Sequence, residues 1–98
     1  MQRLIIQPVA KEEINDAYRW YSMRSLLLSD QFLHEVGFCL DSIMHESLRF
    51  PKVRGEVRKA ILHKFPYSVY FVIDEELEQI VVVACFHSRR DPRHWQNR

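Results

Sequence analysis

The hydrophobic pattern of this chain passes from a long helical period to a strand period at Phe50-Pro51. Before that point apolar side chains recur every three or four residues, as on one face of a helix. After it they alternate or run on continuously, as in strands. A residue that precedes proline avoids the helical basin, so the helical half has to stop here. Each half then presents an apolar surface that only the other half can cover, which predicts the α+β class.

The elements follow from the same patterns. Leu4-Ile5-Ile6, closed by Pro8, reads as a first strand. Residues 9–26 read as a helix, with Ala10, Ile14, Ala17, Tyr18 and Tyr21 on one face and Lys11, Glu12, Asn15 and Arg19 on the other. Leu26-Leu27-Leu28 leads to Ser29-Asp30, a pair suited to capping a second helix that runs to about Leu48. Phe32, Val36, Leu40 and Ile43 form its apolar stripe, with Cys39 alongside. The short join makes the two helices an antiparallel hairpin. Beyond Pro51, residues 56–64 alternate, residues 69–73 are aromatic and β-branched, and residues 75–78 make an acidic turn. Residues 80–86 are apolar throughout, as in a strand covered on both faces. Short turns join the last three strands into an antiparallel meander. The expected architecture is β-α-α-β-β-β, a helical hairpin packed on one face of a small antiparallel sheet. The other face is expected to be open, or covered by something outside the chain.

With 98 residues, 47% of them apolar and 28% charged, the chain predicts one globular domain, residues 1–98. No apolar run approaches the ~20 residues of a membrane span, and the start is too short in apolar residues for a signal peptide. Cys39 and Cys85 have no metal-site spacing, which points to the reducing cytoplasm, with no membrane partner. An enclosed site around a large cofactor is hard to house at this size, so no cofactor is expected. A small-ligand binder, a partner-binding module and a compact nuclease remain.

The net charge of +1 hides a segregation. Residues 49–64 hold Arg49, Lys52, Arg54, Arg58, Lys59 and Lys64 against Glu56 alone, a net +5. Residues 89–98 hold Arg89, Arg90, Arg93 and Arg98 against Asp91, a net +3. Residues 65–88 are acidic, at −4, and residues 1–48 carry −3. If the two basic blocks meet, they form one cationic face suited to nucleic acid or to an acidic protein segment.

The stretch His87-Ser88-Arg89-Arg90-Asp91-Pro92-Arg93-His94-Trp95 carries the most chemistry. It follows the apolar strand directly, and its adjacent arginines can clamp a phosphate or carboxylate, or anchor the tail through Asp91. On an alternating strand Arg58 and Lys59 point to opposite faces, so one of them needs a partner: Glu56, Asp91 or an external anion. None of the five histidines has metal-site neighbours, so no metal is expected. His63 and His87 are candidate proton carriers, though a structural role suits each at least as well. Both cysteines read as core, and Trp20 reads as core or rim packing.

Three pieces together carry a resemblance. Ala10-Lys11-Glu12-Glu13-Ile14-Asn15-Asp16-Ala17-Tyr18-Arg19-Trp20-Tyr21, then Phe65-Pro66-Tyr67-Ser68-Val69-Tyr70-Phe71, then the His87–Trp95 stretch resemble, in order and spacing, the ParE-like branch of the RelE/ParE toxin superfamily. The resemblance covers nearly the whole chain and implies the same hairpin-on-sheet fold. It implies the toxin of a type II toxin–antitoxin system, neutralised by a cognate antitoxin whose disordered segment folds on the toxin. ParE-like members inhibit DNA gyrase and are not nucleases. RelE-like members cut messenger RNA on the ribosome. Here Trp95 falls where the RelE pattern has a tyrosine, and an indole is no proton carrier. Ser68 falls where that pattern has an arginine. The gyrase reading therefore leads, with the ribosome as the alternative target and no direct sequence-specific DNA binding by the toxin alone. Target or antitoxin contact is expected at Arg54, Arg58, Arg89, Arg90, Arg93 and Trp95. A nuclease would use Arg58, Lys59, Arg89 and His87.

Overall fold

A computed structural model describes residues 2–89. Strand β1 (Arg3–Ile6) leads into helix α1 (Pro8–Ser22), whose first residue is the proline, where a missing N–H costs nothing. Helix α2 (Leu26–Glu46) follows, then a single 3-10 turn (Ser47–Arg49) and strands β2 (Lys52–Arg54), β3 (Val57–Ile61), β4 (Tyr67–Asp74) and β5 (Gln79–His87). The strands lie in the order β1-β5-β4-β3-β2.

The α+β class and the hairpin stand as expected. The meander β3-β4-β5 is antiparallel, with Arg58 opposite Phe71 and Tyr67 opposite His87. Two details differ from the sequence reading. β1 pairs with β5 in parallel, Ile5 beside Val81, because the helical hairpin carries the chain across the sheet before it returns. The sheet is therefore mixed. The expected strand over residues 56–64 is also preceded by β2, which folds back on β3 through Gly55-Glu56. Gly55 has a φ of 51°, a backbone region that a residue without a Cβ enters freely.

The second helix begins four residues earlier than Ser29-Asp30 suggested. Ser25 is the N-cap, its hydroxyl accepting from the Leu28 N–H at 3.3 Å. Ser29 lies inside the helix, fully buried, and satisfies its own hydroxyl by donating to the Leu26 carbonyl. This start leaves Leu26 and Leu27 72% and 67% exposed.

One face of the sheet and the two helices enclose the core. Ala10, Ile14, Ala17 and Tyr21 from α1 and Phe32, Val36, Cys39 and Ile43 from α2 pack against Ala60, Val69, Phe71, Ile80, Val82 and Cys85. Tyr21, Phe32, Phe65 and Tyr67 form an aromatic cluster where the hairpin bend meets the start of β4, with ring centres 5.1–6.2 Å apart. Edge-on geometry dominates there, as ring quadrupoles favour.

The face away from the helices, expected to be open, carries a second buried cluster of Tyr70, Ala84 and Phe86. Tyr70 stands opposite Ala84, and Phe86 opposite Ser68. These small partners leave room for the two rings to stack at 4.7 Å. A register shift between Tyr70 and Phe71 lets β5 place Val82 and then Cys85 in the main core. No helix among the described residues is long and apolar enough to cross a membrane.

Candidate partner-binding surface

The basic residues singled out by the sequence take up distinct environments. Arg58 projects from β3 toward the helical side, where its guanidinium donates to the Phe50 carbonyl at 2.6 Å and reaches the Leu48 carbonyl at 3.5 Å. It pins the crossing from helix to sheet. Its partners are main-chain oxygens; Glu56 instead pairs with Lys52 at 3.0 Å. Lys59, the next residue, takes the opposite face, across from Tyr70. Arg54 lies exposed at the end of β2.

His87 ends β5. Its ring meets Tyr67 edge-on at 5.3 Å, and its Nδ1 accepts from the Arg89 N–H at 3.0 Å. A neutral ring held this way carries its proton on Nε2, so it offers a donor and no free lone pair. The same contact orients the chain at Arg89, which is exposed. Ser88 N–H donates to the Pro66 carbonyl at 2.7 Å and ties this turn to the start of β4. Arg90, Arg93 and Trp95, with Asp91 and His94, lie outside the described residues.

The sheet register separates these groups. Arg58 stands level with Phe71 and Val82, whereas His87 stands level with Tyr67. That is four residues along the strands with β4 between, or roughly 16 Å of backbone at usual strand spacings. Arg58 and Lys59 face opposite sides of the sheet. The set Arg58, Lys59, Arg89 and His87 therefore does not converge from the backbone on a single phosphate. Arg89 and His87 share one end of the sheet, with His63 and Lys64 following the end of β3 there.

The bridge made by Glu13 escaped the sequence reading, whereas Trp20 takes the rim place expected of it. Glu13 on α1 accepts the Cys85 N–H at 2.9 Å, bridging helix to sheet across 72 residues. Its place one turn before Ala17, beside the buried stripe, was the available signal. Trp20 is on the rim, 48% exposed, edge-on to Tyr21, with the Arg24 guanidinium 3.4 Å over its ring. Trp20, Glu13, Asp16 and Tyr67 line a recess of about 210 Å3 between α1 and β5.

Both cysteines are buried in the core. Burial, with Glu35 nearby, pushes the Cys39 thiol up to about 11, and burial with Glu13 nearby pushes Cys85 up to about 12. Neither is a nucleophile at neutral pH. Among the described residues no three histidine, cysteine or carboxylate side chains gather as a metal site.

Similar architectures occur among solved structures. A chain of the chromosomal ParDE toxin–antitoxin system from P. aeruginosa superposes with a TM-score of 0.71, covering 89% of this chain and 96% of its own, at 16% identity. This chain has the RelE/ParE toxin fold. A chain of the RelBE2 toxin–antitoxin complex from Mycobacterium tuberculosis follows at 0.63, with 17% identity over 88% of this chain and 96% of that one. The isolated E. coli RelE toxin superposes at 0.55, with 18% identity over 99% and 95%. No family model and no curated protein matches the sequence.

Proposed function

We propose that this chain is the toxin of a type II toxin–antitoxin pair, a ParE-like inhibitor of DNA gyrase held inactive by a cognate antitoxin. The observation that carries this reading is the superposition on the ParDE chain across nearly the full length of both. The side chains support it. Arg58 is engaged by main-chain carbonyls, His87 has its Nδ1 occupied, and Ser68 is fully buried where the RelE pattern has an arginine. A ribonuclease needs a proton carrier and cations around one phosphate, and these residues are spread over two faces and two ends of the sheet. Inhibition by binding needs only a surface. Arg54, Arg58, Arg89, Arg90, Arg93 and Trp95 are proposed to contact target or antitoxin, acting in the cytoplasm.

Pulse-labelling of DNA and protein synthesis just after induction of the chain tests this. The gyrase reading expects DNA synthesis to fall first, and purified gyrase to be inhibited. A first fall in protein synthesis would replace it with the RelE-like reading, a ribosome-dependent messenger endonuclease.

A further inference from the structure

Beyond the end of β1, the outer side of β5 faces helix α1. β1 pairs with β5 as far as Val82, whose carbonyl takes the Gln7 N–H. Further along, α1 meets β5 through the Glu13 carboxylate on the Cys85 N–H. The recess of about 210 Å3 opens here, lined by Glu13, Asp16, Trp20, Tyr67, Cys85 and Phe86. The described residues that line it bring two carboxylates, the aromatic residues Trp20 and Tyr67, and no basic side chain. Arg19, which pairs with Asp16, is not among them. Carboxylates beside aromatic rings suit a guanidinium, whose flat faces stack while its edge donates to the oxygens.

The chain leaves the described fold next to this recess. His87 follows Phe86, and its ring meets Tyr67, which packs against the core on the helical face of the sheet. Arg89 N–H donates to His87 Nδ1, so the main chain at Arg89 has bent toward that same face, where α1 lies. Ser88 and Arg89 form a turn. Residues 90–98, which lie outside the described residues, hold Arg90, Arg93 and Arg98 against Asp91, a net +2. A positive segment therefore begins beside a recess whose charged lining is negative.

We propose that the chain turns back at Ser88-Arg89 and docks in this recess, with the Arg90 guanidinium on the carboxylates of Glu13 and Asp16 and against Trp20 and Tyr67. Arg90 is chosen over Arg93 and Arg98 because it needs the least chain to return to the level of Phe86. Docking of this kind closes the seam between α1 and β5 from within the chain, whatever the target. In the reading given above, on which this last step alone rests, Arg90 is a positioning residue, and Arg93 and Trp95 are brought beside α1 to meet target or antitoxin.

The test uses the purified full chain, with two readouts: the rate of trypsin cleavage after Arg93, and the NMR signal of the Trp20 indole N–H. Arg90→Gln is expected to move the Trp20 signal and to speed cleavage by about tenfold, the loss of one charge-assisted pair. Asp16→Asn, at an exposed site, and Glu13→Gln, which keeps an acceptor for the Cys85 N–H, are expected to speed cleavage several-fold. Asp30→Asn, exposed on α2, serves as the control and should be cleaved as wild type. Thermal melts report the folding of each variant. Arg90→Gln alters none of the described residues, so its readouts stand whatever the Glu13 variant shows. Equal cleavage of wild type and Arg90→Gln, with the Trp20 signal unmoved, would overturn the docking. A Trp20 signal moved by Arg93→Gln and not by Arg90→Gln would overturn the choice of Arg90. If the signal responds to neither variant and moves only when the product of the adjacent reading frame is added, the recess serves a basic segment of another protein and the proposal falls. None of these outcomes alters the order in which DNA and protein synthesis fail, so the proposed function stands or falls separately.

Discussion

Strands β5 and β3 flank β4 and face the same difficulty, an outer side whose main-chain groups need partners. β5 resolves it within the chain. β1 pairs along Gln79–Val82, Gln7 N–H donates to the Val82 carbonyl at 3.0 Å, and the Glu13 carboxylate takes the Cys85 N–H. β3 receives a three-residue β2 and the Pro51 carbonyl, and its cover stops before Ile61. One side of the sheet is completed by helix and strand of the same chain. The other is blunted by a short strand and positive charge, means that deter self-association. The contrast teaches that two strands of one sheet, equally buried against their shared neighbour, can differ in how fully their outer main-chain groups are paired.

The contrast can be broken most strongly at its sealed side. Ile80, fully buried beside Leu4 of β1, joins that strand to the core. Ile80→Ala is expected to cost about 3 kcal/mol in denaturant unfolding, the usual range for a deeply buried isoleucine. A loss below 1 kcal/mol would mean the β1 side is not sealed as described. Glu13→Ala orphans the Cys85 amide and is expected to cost about 2 kcal/mol, whereas Glu13→Gln keeps an acceptor and should recover about half. Equal losses for both would show that the oxygen acceptor is not what matters.

The thiols next to this seam add a pH dependence. Their ordinary value is 9.0, and burial raises it to about 11 for Cys39 and about 12 for Cys85. Above pH 9 the unfolded chain releases thiol protons that the folded chain still holds. Stability therefore falls with rising pH, by about 1.4 kcal/mol per pH unit for each thiol, until the folded thiols titrate in turn. Cys39→Ala should remove one share of that slope, read from unfolding curves between pH 9 and 11. The smallest effect belongs to the open side. Ile61→Ala should change stability by less than about 0.5 kcal/mol, because that side chain is mostly in water already. A large loss would show that the edge is structurally committed.

Much of this was legible in the sequence. The stripes Ala10-Ile14-Ala17-Tyr21 and Phe32-Val36-Ile43 are buried as their spacing indicated, and the turn at residues 75–78 links β4 to β5. The start of α2 was misread because Ser25 and Ser29 are equal as local caps. Only the buried place available to Ser29 on the sheet side of the helix separates them. β2 was missed because three exposed residues have no hydrophobic period to read. The sequence could not show that one guanidinium nitrogen of Arg58 is bonded to the backbone oxygens of Leu48 and Phe50.

The change from a helical to a strand period at Phe50-Pro51 determined the class, the hairpin and the meander, since each depends on local spacing and short connections. The tertiary structure decided the rest: the parallel docking of β1 on β5, the bridge from Glu13 to Cys85, the occupied lone pair of His87 and the uncovered edge at Ile61. These depend on which main-chain groups meet across the folded chain. Local sequence carries no record of that, because every residue but proline brings the same N–H and C=O.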